Sequence, residues 1–109
     1  MQYKKVTAIV ICEKLKEVEQ ALISIGVRGV SITQVQGYGE YHDFYKEDMM
    51  SCHVRFEIFC LAVKVDTIVH TIMDTAHNGQ PEDGIIAVLP VEQLYRIRTK
   101  SEYDTDIVD

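Results

Sequence analysis

The sequence predicts an α+β fold: a ferredoxin-like βαβ–βαβ domain with one antiparallel sheet. Three observations carry that prediction. Two stretches with apolar residues at three- and four-residue spacing each follow an apolar, β-branched run, and each is followed by another strand pattern. A polar loop separates the two units. Tandem βαβ units with right-handed crossovers place both helices on one face of one sheet.

The first strand is read over residues 6–12, VTAIVIC, apolar almost throughout and therefore expected to be buried on both faces. A helix over 14–25 follows, with Leu15, Val18, Leu22 and Ile25 on one stripe and Gly26 as its stop. Residues 29–36 alternate as a second strand, which Gly37-Tyr38-Gly39 ends. A polar, aromatic loop occupies 40–52. In a third strand, Val54, Phe56, Ile58 and Cys60 form the inner face, with Arg55 and Glu57 opposite. A helix over 63–77 carries Val65, Ile68, Val69, Ile72, Met73 and Ala76 as its stripe, with His70 and His77 on or near its polar side. The fourth strand is 85–89, stopped by Pro90, and a short last strand spans 95–98. The acidic tail, 100–109, is expected to be mobile. Two-sided apolar strands with helices on one face only imply that a second surface, most simply another copy of the chain, covers the rest.

The composition narrows the function. The 109 residues suit one domain, 1–109, with 47% hydrophobic and 26% charged residues. Eleven basic against 17 acidic residues give a charge of −6, which excludes the broad positive field of a nucleic-acid binder or an anionic-membrane binder. No apolar run approaches the roughly 20 residues of a membrane span, and the short apolar start lacks a cleavage site. A cytoplasmic protein is expected. Cys12, Cys52 and Cys60 are odd in number and show no CxxC spacing, so reduced thiols are expected. Cys12 and Cys60 read as small hydrophobes within strands.

The stretch GQPEDGIIAVLPVEQLYRIRT, residues 79–99, concentrates the chemistry. Asp83-Gly84 can bring backbone N–H groups close to an anion. Arg96 and Arg98, at strand spacing, would point to the same face as a fork suited to a diphosphate. No nucleophile–base–orienter set or Walker lysine is present, so no enzyme is expected.

Two segments, KLKEVEQALISIGVRGVSITQVQGYG and DGIIAVLPVEQLYRIRT, resemble the PII signal-transduction proteins over nearly the whole chain. The resemblance implies a homotrimer with sheets facing the centre and adenine nucleotides in clefts between subunits. Gly37, Tyr38 and Gly39 would approach the nucleotide from the root of the loop, and Glu57 and Phe59 would lie near the adenine. Asp83 and Gly84 would cradle phosphates from one subunit. Gly29, Val30 and Ser31, with Arg96 and Arg98, would come from its neighbour.

Departures from the family pattern shift the expected ligand. The phosphate-contacting lysine is replaced by Ile85, and a glycine by Glu82. An arginine–glutamine pair is replaced by Glu40-Tyr41, removing an oxygen ligand for magnesium. His53 stands where the family's 2-oxoglutarate lysine would be, and Met50 where a modifiable tyrosine would be. ADP or AMP is therefore expected over Mg-ATP, with magnesium held poorly. The loop aromatics Tyr41, Phe44 and Tyr45 are expected to contact an unknown target, a transporter or a metabolic enzyme. The alternative reading is a trimeric metal-binding protein of the copper-tolerance type, using His42, Cys52 and His53.

Overall fold

The computed structural model describes residues 2–35 and 52–103. Strands β1 (Tyr3–Ile11), β2 (Ser31–Val35), β3 (His53–Leu61) and β4 (Gly84–Val91) form one sheet in the order β2-β3-β1-β4, every neighbouring pair antiparallel. Helices α1 (Leu15–Ser24) and α2 (Val65–Ala76) supply the two crossovers. A two-stranded hairpin, β5 (Tyr95–Arg96) and β6 (Ser101–Glu102), completes the described chain.

The two units repeat one another closely. β1, a 3-10 turn at Cys12–Lys14, and α1 are matched by β3, a turn at Ala62–Lys64, and α2, each beginning 50 residues later (3 to 53, 12 to 62, 15 to 65). The helices start one or two residues later than their periodicity suggests because these tight turns precede them. β1 also begins at Tyr3 rather than at residue 6, with Lys4 and Lys5 paired to Cys60 and Phe59.

Val6, Ala8 and Val10 of β1 and Val54, Phe56, Ile58 and Cys60 of β3 pack against Val18 and Leu22 of α1 and Ile68, Ile72 and Ala76 of α2. Phe56 is fully buried, and truncating such a ring to alanine costs about 3–5 kcal/mol. Met73, placed in the stripe by sequence, leaves 46% of its surface exposed. The opposite face of β1 carries Lys5, Thr7 and Ile9 and is only partly covered in the single chain. There Phe59, Ile85 and Leu89 lie exposed.

Helix α1 ends as expected. Gly26 has φ +92°, its N–H donates to the Ile23 carbonyl, and the Val27 N–H donates to Leu22. That is a Schellman closure, with Val27 buried.

Three expectations are corrected. β4 runs on through Pro90 to Val91, because it is an edge strand where a missing N–H is tolerated. Arg98 lies outside a strand: β5 ends at Arg96, and a turn containing Lys100 at φ +57° reverses the chain into β6, so the acidic tail is structured at Ser101–Glu102. Finally, Cys12 and Cys52 form a disulfide with Cα atoms 5.4 Å apart. The β1–β3 register pairs Ile11 with His53, so the next residues outward, Cys12 and Cys52, are cross-strand neighbours joined also by a 2.9 Å backbone hydrogen bond. Closing their 40-residue separation contributes about 4 kcal/mol in the chain-entropy account. Cys60 stands outside this disulfide and is fully buried, in keeping with a small hydrophobe.

Gly84 opens β4 at φ +109°, and an added Cβ would land on the Ile9 carbonyl oxygen. Gly84→Ala should therefore destabilise the chain by about 2–4 kcal/mol in chemical denaturation, through left-handed strain and loss of close strand approach. An unchanged midpoint would contradict this geometry.

Candidate functional site

The α1–β2 connection, the middle of β3 and the β5–β6 hairpin enclose a cleft of about 830 Å³. Gly29, Val30 and Ser31 line it from the α1–β2 connection, Glu57 and Phe59 from β3, and Arg96 and Arg98 from the hairpin. Seven residues singled out in the sequence thus meet in one place. Register explains part of this: Ser31 lies opposite Glu57 across β2–β3.

The hairpin is positioned by aromatic contacts that sequence reasoning missed. The Arg96 guanidinium lies 4.7 Å from the centre of the Tyr103 ring, a cation–π distance. Tyr103 in turn packs on Tyr3 of β1, ring centres 6.2 Å apart, and its N–H donates to the Leu94 carbonyl at 2.8 Å. The clue available was the pair of tyrosines, Tyr95 and Tyr103, flanking the RIRTKSE turn. Arg28, which directly precedes Gly29, also lines the cleft and was not singled out.

The electrostatic balance of the lining is positive. Among the described residues, Arg28, Arg96 and Arg98 line the cleft with one carboxylate, Glu57. That carboxylate is already engaged: Lys5 Nζ is 2.8 Å and Arg55 Nε 3.8 Å from Glu57 Oε2. The hydrogen bond from Lys5 holds the Glu57 carboxyl below its ordinary range, helped by the Lys5 and Arg55 charges and opposed by partial desolvation. Lys5 also sits 5.7 Å from the Phe59 ring centre, and Phe59 leaves 48% of its surface exposed. Chemically, the cleft can take a polyanion on its arginines and a flat apolar group against Phe59.

Asp83 and Gly84 do not line this cleft. Gly84 pairs with Val10, toward the other end of β1 from Tyr3. The Asp83 carboxylate accepts N–H bonds from Asn78 and Gly79 at 2.8 and 2.9 Å, with His77 Nδ1 4.0 Å away. Its own N–H donates to the Gln80 carbonyl. Both residues therefore have internal duties in the turn that leads into β4. Gly37, Tyr38, Gly39, Tyr41, Phe44 and Tyr45 lie outside the described residues, as do Glu40 and Met50.

Two of the three residues named for the metal-binding alternative are engaged elsewhere. Cys52 is in a disulfide, and His53, expected in a loop, is fully buried at the start of β3, with Nε2 2.8 Å from the Glu82 carbonyl. His42 lies outside the described residues, among which no group of three metal-ligating side chains occurs.

Comparisons with known proteins agree with this architecture. The family described as P-II, nitrogen regulatory protein P-II, matches residues 3–101. The chain is 38% identical over 111 residues to nitrogen regulatory protein P-II of Klebsiella oxytoca, covering 95% of this chain and 99% of that protein. It is 36% identical over 106 residues to the nitrogen regulatory protein P-II homolog of Arabidopsis thaliana, covering 90% of this chain and 54% of that longer protein. The crystal structure of Arabidopsis thaliana PII bound to citrate matches with a TM-score of 0.81 at 35% identity, over 94% of this chain and 90% of that one.

The engaged state of Glu57 has a pH signature. A depressed carboxyl favours the folded state above its ordinary value of 4.5, and that contribution is lost as pH falls through the lowered value. Lys5→Met should raise the Glu57 midpoint in a carbon-detected NMR titration. A midpoint at or above the ordinary value in the native chain would contradict the pairing.

Proposed function

The chain belongs to the nitrogen regulatory protein P-II family, a family of signalling regulators, and on that premise we propose that it is a cytoplasmic, trimeric sensor of adenine nucleotides. The observation that carries this reading is the gathering of Arg28, Arg96 and Arg98 in one cleft where the sole lining carboxylate among the described residues is already paired. Three guanidinium groups with little opposing charge suit a phosphate chain, and the Phe59 ring suits a base. In this reading the cleft is half of a site. Gly29, Val30, Ser31, Glu57, Phe59, Arg96 and Arg98 come from one copy. Gly37, Tyr38, Gly39, Asp83 and Gly84 come from its neighbour. The exposed Phe59, Ile85 and Leu89 on the uncovered sheet face support self-association.

ADP or AMP is favoured over Mg-ATP. Ile85 presents apolar surface, 45% exposed, where the family's lysine would meet phosphate. Glu82 adds a negative charge in the adjoining turn, and Glu40 another at the loop root. No chemical step is required: binding that differs between two states of the 40–52 loop suffices to control a target protein through Tyr41, Phe44 and Tyr45. A transporter or a metabolic enzyme is the proposed target. The citrate held by the Arabidopsis relative makes small carboxylates worth including as co-ligands.

Calorimetry tests the ligand. ADP should bind at least as tightly as ATP, with little gain from magnesium and 2-oxoglutarate together. Arg98→Ala should weaken ADP by about 10–100-fold, the worth of one charge-assisted contact. A large 2-oxoglutarate-dependent gain for ATP would reverse the assigned preference. Light scattering should give three chains per particle, for the native chain and for Arg98→Ala alike; a stable monomer at micromolar concentration would remove the two-chain site.

A further inference from the structure

The Cys12–Cys52 disulfide sits where three parts of the chain meet. Cys12 opens the 3-10 turn into α1, and Cys52 directly precedes β3. Gln34, one residue before the end of β2, donates from Nε2 to Cys52 Sγ at 3.6 Å. The two described ends flanking residues 36–51 therefore touch at this sulfur. The next residue, His53, is fully buried and reaches the Glu82 carbonyl at 2.8 Å, inside the Pro81–Asp83 turn that leads into β4. One covalent bond is thus linked through a single side chain to a turn 29 residues further along the chain.

The fold itself does not call for this bond. The internal repeat supplies the comparison: Cys12 and Cys52 correspond to Ala62 and Gln2. There the same junction closes with the same 2.9 Å backbone hydrogen bond and no cross-link. Cys12 packs only at the margin of the hydrophobic core and Cys52 is not among its members; both cysteines are only half-buried, so an attacking thiolate has access. A bond that packing does not require, and that solvent reaches, is suited to exchange.

We propose that Cys12 and Cys52 form a reversible thiol–disulfide exchange site whose oxidised state holds the Pro81–Asp83 turn in place through His53. The reductant is a dithiol. Its thiolate attacks the Cys12 sulfur, the Cys12–Cys52 bond breaks, and Cys52 leaves as a thiolate, a departure favoured by the Gln34 hydrogen bond. The second thiol of the reductant, as its thiolate, then attacks its own mixed-disulfide sulfur and releases Cys12. Two electrons pass from the dithiol, which becomes a cyclic disulfide, and the two cysteine sulfurs take up two protons. Oxidised glutathione, a disulfide, reverses the change: two glutathione thiols are formed as the Cys12–Cys52 bond closes. Once Cys52 is released, the backbone that carries His53 loses its covalent tether and is held at this end by the Cys12 N–H to Cys52 carbonyl bond alone, so the donor to the Glu82 carbonyl is fixed less firmly.

The test uses the full chain under native conditions, with dithiothreitol and then oxidised glutathione as probes. Alkylation with mass spectrometry should label Cys12 and Cys52 after reduction, leave buried Cys60 unlabelled, and show both sites closed again on reoxidation. Hydrogen exchange should accelerate about tenfold at the Asn78, Gly79 and Asp83 amides, whose bonds define the turn, while the Val27 and Tyr103 amides stay unchanged. Cys12→Ser and Cys52→Ser should show the fast pattern regardless of reductant; because the native chain carries the same comparison, a variant that fails to fold does not remove the test. Three results would overturn the proposal: no labelling of Cys12 and Cys52 without denaturant, acceleration spread evenly over all five amides, or reduction with no change at the turn.

Discussion

The antiparallel pairing of β1 with β3 is the constraint on which the rest of the molecule depends. Its register sets Val6 beside Ile58, Ala8 beside Phe56 and Val10 beside Val54, all on the face that the helices cover. A one-residue slip of β3 along β1 would turn Arg55 and Glu57 toward the helices and expose Phe56, so burial of the apolar face selects one register. The same alignment has consequences on the other face and at both ends. It brings Lys5 and Arg55 to Glu57, and it delivers Cys12 to Cys52.

The cleft, by contrast, depends on one of the smallest elements. A hairpin with two residues in each strand has little stability of its own, and this one is held to the sheet by Tyr103 packing on Tyr3. Arg96 lies over that same Tyr103 ring, so its direction is tied to the N-terminal strand rather than to its own backbone alone. Glu57, Ser31 and Phe59 belong to the rigid sheet, whereas Arg98 belongs to the turn. A polyanion spanning them would bridge a firm wall and a marginal one, and elements of low local stability are the ones from which switching parts are drawn.

Asp83 and Gly84 show how residues that read as a binding motif carry structural duties. In the sequence they read as a phosphate cradle. In the structure the Asp83 carboxylate caps the backbone of residues 78 and 79, and Gly84 allows β4 to approach the Ile9 carbonyl. These duties shape the turn before any ligand arrives, and in the P-II reading the same preformed turn then meets a ligand carried by another copy.

The sequence by itself determined the order of the sheet strands and helices, the inner face of β3, and the glycine stop of α1. It picked out Arg96 and Arg98 by their spacing, and the resemblance to the P-II family added Gly29, Val30, Ser31, Glu57 and Phe59; all seven converge on one cleft. These were legible because amphipathic period, capping and motif spacing are local properties of the chain. The tertiary structure alone decided that β4 could pass through Pro90, since only the strand order reveals an edge. It alone turned the chain between Arg96 and Ser101 and buried His53 against Glu82. It alone joined Cys12 to Cys52, at a separation of 40 residues. Contacts of that range follow from register, and register is set by the summed packing of two whole strands against two helices, a quantity that no local window of sequence contains.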